Sequence, residues 1–160
     1  MSKLIGDTIP SGLRQELDGE HLETKIGAAY LLVTADDDGT PRPCMLSAGE
    51  VLAVDDRRLR FALWKGSRTC ENLTRGERAL FCHVAPRTVL YLRGAARSLT
   101  SDPELNLDCF ELEVDSVESD DHVGMPVVTG ISFAVERGDP AAVVDAWRRQ
   151  IAGLRAAERS

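Results

Sequence analysis

The residues best suited to bind an anion lie together, in the stretch Lys65-Gly66-Ser67-Arg68-Thr69. An alternating apolar run predicts a strand over residues 59–64 just before them, and a short helix follows them. A helix start offers free N–H groups, hydroxyls can donate, and an arginine fork matches phosphate oxygens. The stretch therefore suits a phosphate-binding loop. A capped strand-to-helix corner explains the same residues, and the spacing of a P-loop is absent.

The bulk composition limits the classes of function. The chain has 160 residues and a net charge of -7, which argues against a general nucleic-acid-binding surface. This length fits a single domain over residues 1–160 that folds without disulfides or a metal. The N-terminus lacks a signal-peptide pattern and no apolar run reaches membrane-span length. We therefore expect a cytoplasmic protein that binds neither membranes nor nucleic acid.

The cysteines and histidines show no metal-ligand spacing. The four cysteines form no C-x-x-C pair, and the three histidines lie far apart in the sequence. Cys44 and Cys82 lie in apolar runs, where a free cysteine is usually a small buried side chain. The sequence predicts no metal site and no disulfide framework. His83, in a predicted strand, is interpreted as a structural residue in preference to a heme ligand.

Short strands separated by tight turns dominate the chain. Alternating or compact apolar runs predict strands over residues 28–34, 59–64, 79–86, 88–99, 109–114 and 126–135, and one or two strands, bent near Gly49, over residues 42–54. Gly94, in the middle of one run, predicts a β-bulge or barrel bend. The spacing of Phe110, Val114 and Val117 also suits a helix, although a strand is favoured there. Close strands with few helices indicate an antiparallel barrel of six or seven strands.

Three helices are predicted around this sheet. One covers residues 11–25 with Ser11 as its cap, and a short internal one is capped by Ser67 or Thr69 and ends at Gly76. The longest covers residues 139–158, with Asp139 as its cap and Pro140 at its first position. Its apolar face is made of Val143, Val144, Trp147, Ile151 and Leu154.

Two stretches, in this order, carry a resemblance to a known family. "YLLVTADDDGTPRPCMLS" reads as a first hairpin, and "LRFALWKGSRTCENL" as a strand leading into a Ser-Arg segment followed by Asn-Leu. Together they resemble the pyridoxamine 5′-phosphate oxidase-like FMN-binding split β-barrel family over residues 27–99. The resemblance implies a mainly β (α+β) fold: a six- to seven-stranded antiparallel split β-barrel with a short internal helix and a C-terminal helix. It also implies a homodimer that binds FMN between its subunits.

The resemblance also implies a set of cofactor-binding residues. Arg42, Ser67 and Arg68 would hold the FMN phosphate, with Asn72 supporting them. Residues that would lie along or beside the flavin ring are Met45, Leu46, Leu63 and Trp64. Thr69 stands where the family has a lysine, and Lys65 is the cation that would compensate for it.

The implied function is that of an FMN-dependent oxidoreductase acting on a small substrate. The segment that binds the B6 substrate in true pyridoxamine phosphate oxidases is absent, so that reaction is not expected. No set of catalytic side chains is identified, which suits a flavoprotein because the cofactor carries the redox chemistry. The alternative is a barrel that binds flavin, deazaflavin or heme without turnover, which the replacement at Thr69 supports.

Overall fold

A computed structural model describes residues 1–159 and contains eight strands and three α-helices. The strands are β1 (Ser2–Gly6), β2 (Ala29–Ala35), β3 (Pro41–Ser47), β4 (Val51–Ala53), β5 (Arg58–Trp64), β6 (Arg78–Ala85), β7 (Thr88–Ser98) and β8 (Leu107–Asp120). The helices are α1 (Ser11–Glu16), α2 (Arg68–Thr74) and α3 (Pro140–Ala156), with 3₁₀ turns at Leu22–Thr24 and Pro103–Leu105. None of these helices has the length and apolar character that crossing a membrane requires.

All strand pairings are antiparallel, in the order β3-β2-β6-β7-β8-β5-β4, with β1 added to the far part of β8. The two end strands, β3 and β4, are consecutive in the chain, and a tight turn joins them. In this turn the Glu50 carboxylate accepts hydrogen bonds from the Ser47 backbone N–H at 2.7 Å and from its hydroxyl at 2.8 Å. The sheet therefore curls into a split barrel, and the predicted fold class is confirmed.

The barrel interior is filled by large apolar side chains from neighbouring strands. Phe61, Phe81 and Phe110 are buried there. The rings of Phe61 and Phe81 stack with centroids 5.9 Å apart. These residues come from β5, β6 and β8, so the core holds together strands that are far apart in the sequence.

Most predicted elements are confirmed. Residues 109–114 lie within the long strand β8, which settles the choice between strand and helix. The register between β7 and β8 shifts between Arg93 and Gly94, as expected of a bulge. A Cβ atom on Gly94 would lie only 1.9 Å from the Glu113 carbonyl oxygen, so no larger residue fits this bend. Asp139 caps α3 by accepting from the Ala141 N–H at 2.9 Å.

Three expectations about elements are wrong. Residues 126–135 form no strand and make one isolated bridge, between Ala28 and Ser132, because β3 and β6 already occupy both edges of β2. The first helix ends at Glu16, and Pro10, not Ser11, stands at its N-cap without a side-chain cap bond. Strand β1 was not predicted, since its five residues are all exposed and carry no alternation of burial.

One edge strand carries two prolines. Pro41 and Pro43 of β3 lie opposite Ala35 and Val33 of β2, and the register between the two strands is continuous. The ladder is therefore intact although neither proline has an N–H group.

Helix α3 is fixed to the sheet through a buried ion pair. Glu111 of β8 is fully buried, and its carboxylate lies 3.1 Å from Nε of Arg60 on β5. The same guanidinium donates from Nη1 to the carbonyl oxygens of Leu154 at 2.7 Å and Ala157 at 2.8 Å. Arg60 thus satisfies carbonyls at the end of α3 that have no partner within the helix. Arg58, Arg97 and Arg159 lie between 3.4 and 3.9 Å from the Glu111 carboxylate.

Replacement of Arg60 by methionine should destabilise the fold by about 2–4 kcal/mol. The buried carboxylate loses its nearest partner and keeps only arginines 3.4–3.9 Å away, and two helix carbonyls lose their donor. Urea unfolding measures this loss. The matched control is Arg57→Met, which breaks an exposed pair with Asp7 and should cost less than about 1 kcal/mol. Equal losses in the two variants would contradict the structural role of Arg60.

Candidate functional site

The stretch after β5 is a capped corner. Gly66 turns the chain with a φ of 74°, and the Ser67 N–H donates to the Trp64 carbonyl oxygen at 3.1 Å. The Ser67 hydroxyl then accepts from the Cys70 N–H at 3.3 Å, which makes Ser67 the N-cap of α2. The cap predicted for Ser67 or Thr69 is confirmed at Ser67. Helix α2 ends at Thr74, and the chain turns away at Gly76, the predicted stop, with a φ of 75°.

Four polar side chains join α2 to the hairpin of β2 and β3. Arg42 makes a two-pronged contact with Asp36, from Nε to Oδ1 at 2.8 Å and from Nη2 to Oδ2 at 2.7 Å. Asn72 is buried and donates to the Thr34 hydroxyl at 2.9 Å and to Asp36 Oδ1 at 3.0 Å. We call these residues, Thr34, Asp36, Arg42 and Asn72, the Asp36 network.

The charges around Asp36 favour its ionised form. The hydrogen bonds from Arg42 and then from Asn72 hold the pKa of Asp36 far below its usual range. The charge of Arg68 acts weakly in the same direction. The structure therefore joins Arg42 and Asn72, two residues predicted to hold or support a phosphate, through one carboxylate.

The other cations near this corner differ in their ion-pair partners. Arg68 pairs with Glu71 at 2.7 Å, and both side chains are about half exposed. Arg75 donates to the Ala35 carbonyl oxygen at 2.9 Å and pairs with Asp37, which ties α2 to the hairpin. The ion pairs found in residues 1–159 include these arginines but not Lys65. Lys65, at the exposed end of the corner, keeps its charge available.

The predicted ring-contacting residues divide into two groups. Met45 and Trp64 are 46% and 64% exposed, so each offers apolar surface to a ligand. Leu46 and Leu63 lie in the barrel core, at 1% and 3% exposure, and can present only their backbone in this chain. Their predicted contacts with a flavin ring remain predictions.

Thr69 takes a different place from the lysine that it replaces in the resemblance. Its side chain is buried close to the Cys44 thiol of β3. Burial raises the pKa of Cys44, and the Thr69 side chain offsets part of the rise. Thr69 therefore packs α2 onto β3.

Sequence reasoning missed Asp36 and Thr34. Asp36 was interpreted only as part of the turn at residues 35–41. The deciding signal is the hairpin register, which places Arg42 opposite Thr34, two residues from Asp36, and which the sequence does not show. Cross-strand neighbours at this distance are within reach of a long side chain such as arginine.

The comparisons with known proteins agree with the observed architecture. No family model matches the chain. The uncharacterized protein YclD of Bacillus subtilis (strain 168) is 29% identical over 141 residues, which cover 87% of this chain and 90% of YclD. A crystal structure described as a proposed pyridoxamine 5′-phosphate oxidase from Lactobacillus delbrueckii matches with a TM-score of 0.52. It shares 17% identity and covers 73% of this chain and 98% of that one.

The chain has the split-barrel fold of the pyridoxamine 5′-phosphate oxidase-like proteins. The expected resemblance is confirmed at the level of the fold. HupZ of group A Streptococcus matches this split barrel as well, with a TM-score of 0.52 and 11% identity over 79% of this chain and all of that one. At such identities the likeness shows the fold, and the ligand of this split barrel has to be argued from its own residues.

Replacing Ser67 with alanine should destabilise the split barrel by about 1 kcal/mol, because the first turn of α2 loses its side-chain acceptor. Thermal or urea unfolding of the ligand-free protein measures the loss. Ser11→Ala is the matched control, since Ser11 also begins a helix but α1 has no side-chain cap bond. If both variants lost the same stability, the cap at Ser67 would not explain the effect.

Proposed function

We propose that this split barrel is a cytoplasmic, FMN-dependent oxidoreductase acting on a small substrate, and that it works as a homodimer. The observation that carries the proposal is that the Asp36 carboxylate binds both Arg42 of β3 and Asn72 of α2, two residues assigned to the phosphate site. Arg68 lies at the start of the same helix as Asn72, one turn before it.

The residues present fit an anionic ligand with a flat apolar body. Arg42, Arg68 and Lys65 supply positive charge on a chain whose net charge is -7, and guanidinium groups suit phosphate oxygens. Asn72 Oδ1 is buried and accepts no hydrogen bond from residues 1–159, so one acceptor is left for a ligand hydroxyl or N–H. Met45 and Trp64 supply exposed apolar surface for the ring.

The chain's residues would bind and orient the cofactor, while FMN would supply the hydride or electron transfer. Arg42 and Arg68 would hold the phosphate. The Ser67 hydroxyl accepts from the Cys70 N–H and donates to Cys70 Sγ at 3.2 Å, so it would have to leave the sulfur to donate to the phosphate. Met45 and Trp64 would exclude water from the ring.

Exposed apolar side chains support the homodimer. Those with more than a third of their surface exposed include Leu4, Ile5, Met45, Trp64, Val123, Met125, Val128, Ile131 and Phe133. Contiguous exposed apolar surface marks interaction sites, and five of these side chains, from Val123 to Phe133, come from one short stretch of the chain. A second subunit would cover part of this surface and close the site around Met45 and Trp64.

A second function is favoured by the charge of the Asp36 network. Asp36 neutralises Arg42, and Thr69 carries no charge. The corner therefore offers a phosphate dianion less positive charge than three unpaired cations would. A barrel that carries flavin, deazaflavin or heme without turnover needs only binding. A stable flavin spectrum with no reductase activity toward nicotinamides or small electron acceptors would support this function.

Arg68→Ala should weaken FMN binding about tenfold, or roughly 1.5 kcal/mol, which is the lower end for a charge-assisted hydrogen bond because Arg68 is half exposed. The visible spectrum of the purified protein, followed during titration with FMN, measures the affinity. Riboflavin lacks the phosphate, so its affinity should not change.

Arg14→Ala is the matched control for this experiment, since Arg14 is an exposed arginine on α1. It should leave both affinities as they are. An Arg68→Ala protein that binds FMN as tightly as the unaltered chain would rule out the assigned phosphate site.

Asp36→Asn should tighten FMN binding by roughly threefold to tenfold, because it removes the carboxylate that competes with phosphate for Arg42. The same spectral titration, repeated with riboflavin, separates this effect from a general change in the site. If FMN binding weakened instead, Asp36 would be needed to hold Arg42 in position for the phosphate.

A further inference from the structure

A second polar cluster lies at the opposite end of β2 from the Asp36 network. Tyr30 and Thr34 are four residues apart on this strand, so their Cα atoms are separated by about 13 Å. The Tyr30 hydroxyl donates to Glu16 Oε1 of α1 at 2.7 Å. His83 of β6 approaches the other carboxylate oxygen, with 3.6 Å between Nε2 and Glu16 Oε2. The rings of Tyr30 and His83 stack with centroids 6.1 Å apart.

The Glu16–Tyr30–His83 cluster borders a cavity of about 370 Å³. This volume lies within the range of sites for small molecules, about 300–1,000 Å³. Apart from the cluster, the walls are mainly small and apolar, and include Ala28, Ala85, Pro86, Val128 and Ile131. The cavity thus combines an apolar interior with a few polar groups on one side, as ligand sites do.

The outer wall of the cavity is segment 127–133, and it is attached at both ends. The Arg87 N–H donates to the Val127 carbonyl oxygen at 2.8 Å, and the Phe133 N–H donates to the Gly27 carbonyl oxygen at 3.0 Å. Between them Gly130 packs against β6, where a Cβ atom would lie 2.0 Å from the Val84 carbonyl oxygen. Three contacts therefore hold the segment across the ends of β2 and β6.

One polar atom of the cluster has no partner. His83 is only 6% exposed, and its Nδ1 makes no hydrogen bond to residues 1–159. Burial lowers the pKa of His83 more strongly than the neighbouring Glu16 raises it, so the ring is neutral near pH 7. A neutral ring with its proton on Nε2, toward the Glu16 carboxylate, has Nδ1 as a free acceptor. A buried acceptor without a donor is costly unless something binds it.

We propose that this cavity is a binding site for a small, ring-sized molecule that donates an N–H or O–H to His83 Nδ1. Glu16 lines the same cavity, with its carboxylate beside the other ring nitrogen, Nε2, so protonated amines are favoured over neutral alcohols and carboxylates are disfavoured. The apolar walls take the body of the ligand. The site lies at the other end of β2 from Arg42 and Arg68 and goes beyond the proposed function, because it selects a donor or a cation where the Asp36 network selects an anion.

Three probes that share one ring test the proposal: benzylamine, benzyl alcohol and benzoate. Binding to the full chain is followed through the histidine ring resonances in NMR spectra and by calorimetry. Benzylamine and benzyl alcohol should bind saturably, in the millimolar range or tighter, and shift the His83 signals. Benzoate should not bind. If none of the probes bound, or benzoate bound best, the proposal would be overturned.

Variants locate the site. His83→Phe should weaken benzyl alcohol at least fivefold, whereas His122→Phe, which alters an exposed histidine, should have no effect. Glu16→Gln should weaken benzylamine more than benzyl alcohol, because only the amine carries charge. Ala85→Leu fills the cavity without altering the cluster and should block both probes, which keeps the test valid if His83→Phe does not fold.

The proposal for the cavity and the proposal for the flavin site are tested independently. Ala85→Leu should leave FMN affinity unchanged, and Arg68→Ala should leave benzyl alcohol affinity unchanged. Probe binding that persists in both His83→Phe and Ala85→Leu would place the probes elsewhere and overturn the proposal, whatever the outcome of the FMN titrations.

Discussion

The fully buried carboxylate of Glu111 sets the constraint on which the rest of the structure depends. A charge without water must be paired, and Arg60 is the partner that lies closest within the barrel. Since the same guanidinium also binds the Leu154 and Ala157 carbonyls, the pair fixes where α3 ends. With α3 placed, Trp147 packs on Gly49, where a Cβ atom would lie 2.2 Å from the indole ring. This contact fixes the turn that joins the end strands β3 and β4. Strand β5 then leads directly into the corner at Ser67.

Strand β2 carries two polar clusters of different character, one at each end. Its far end carries Thr34 and leads to Asp36, which binds Arg42 of β3 and Asn72 of α2. Its near end carries Tyr30, next to a buried neutral histidine and a carboxylate. Both clusters are formed by side chains from different elements, and both depend on the pairing of β2 with β3 and β6. The barrel core between them, with Leu32 fully buried, keeps the two environments apart.

The sequence predicted the strands well because burial in a barrel imposes a simple alternation of apolar residues, as in residues 59–64 and 88–99. Residues 126–135 have the same apolar character, but no strand edge is free to pair with them. A local sequence pattern does not show which strand edges are free. The grouping of Arg42 with Asn72 was expected from the family resemblance alone. Asp36 could not be ranked above its neighbours Asp37 and Asp38, because only the hairpin register shows which carboxylate meets Arg42.

Pro41 and Pro43 have a consequence for how molecules of this protein meet. Since the ladder between β2 and β3 is unbroken, the positions where these prolines lack an N–H face outward, at the free edge of β3. An approaching strand would find no donors there and could not extend the sheet. The open edge of the barrel is thus protected against templated growth from chain to chain, a route by which exposed edges lead to fibrils. Recognition at this edge is left to side chains, among which Arg42 stands between the two prolines.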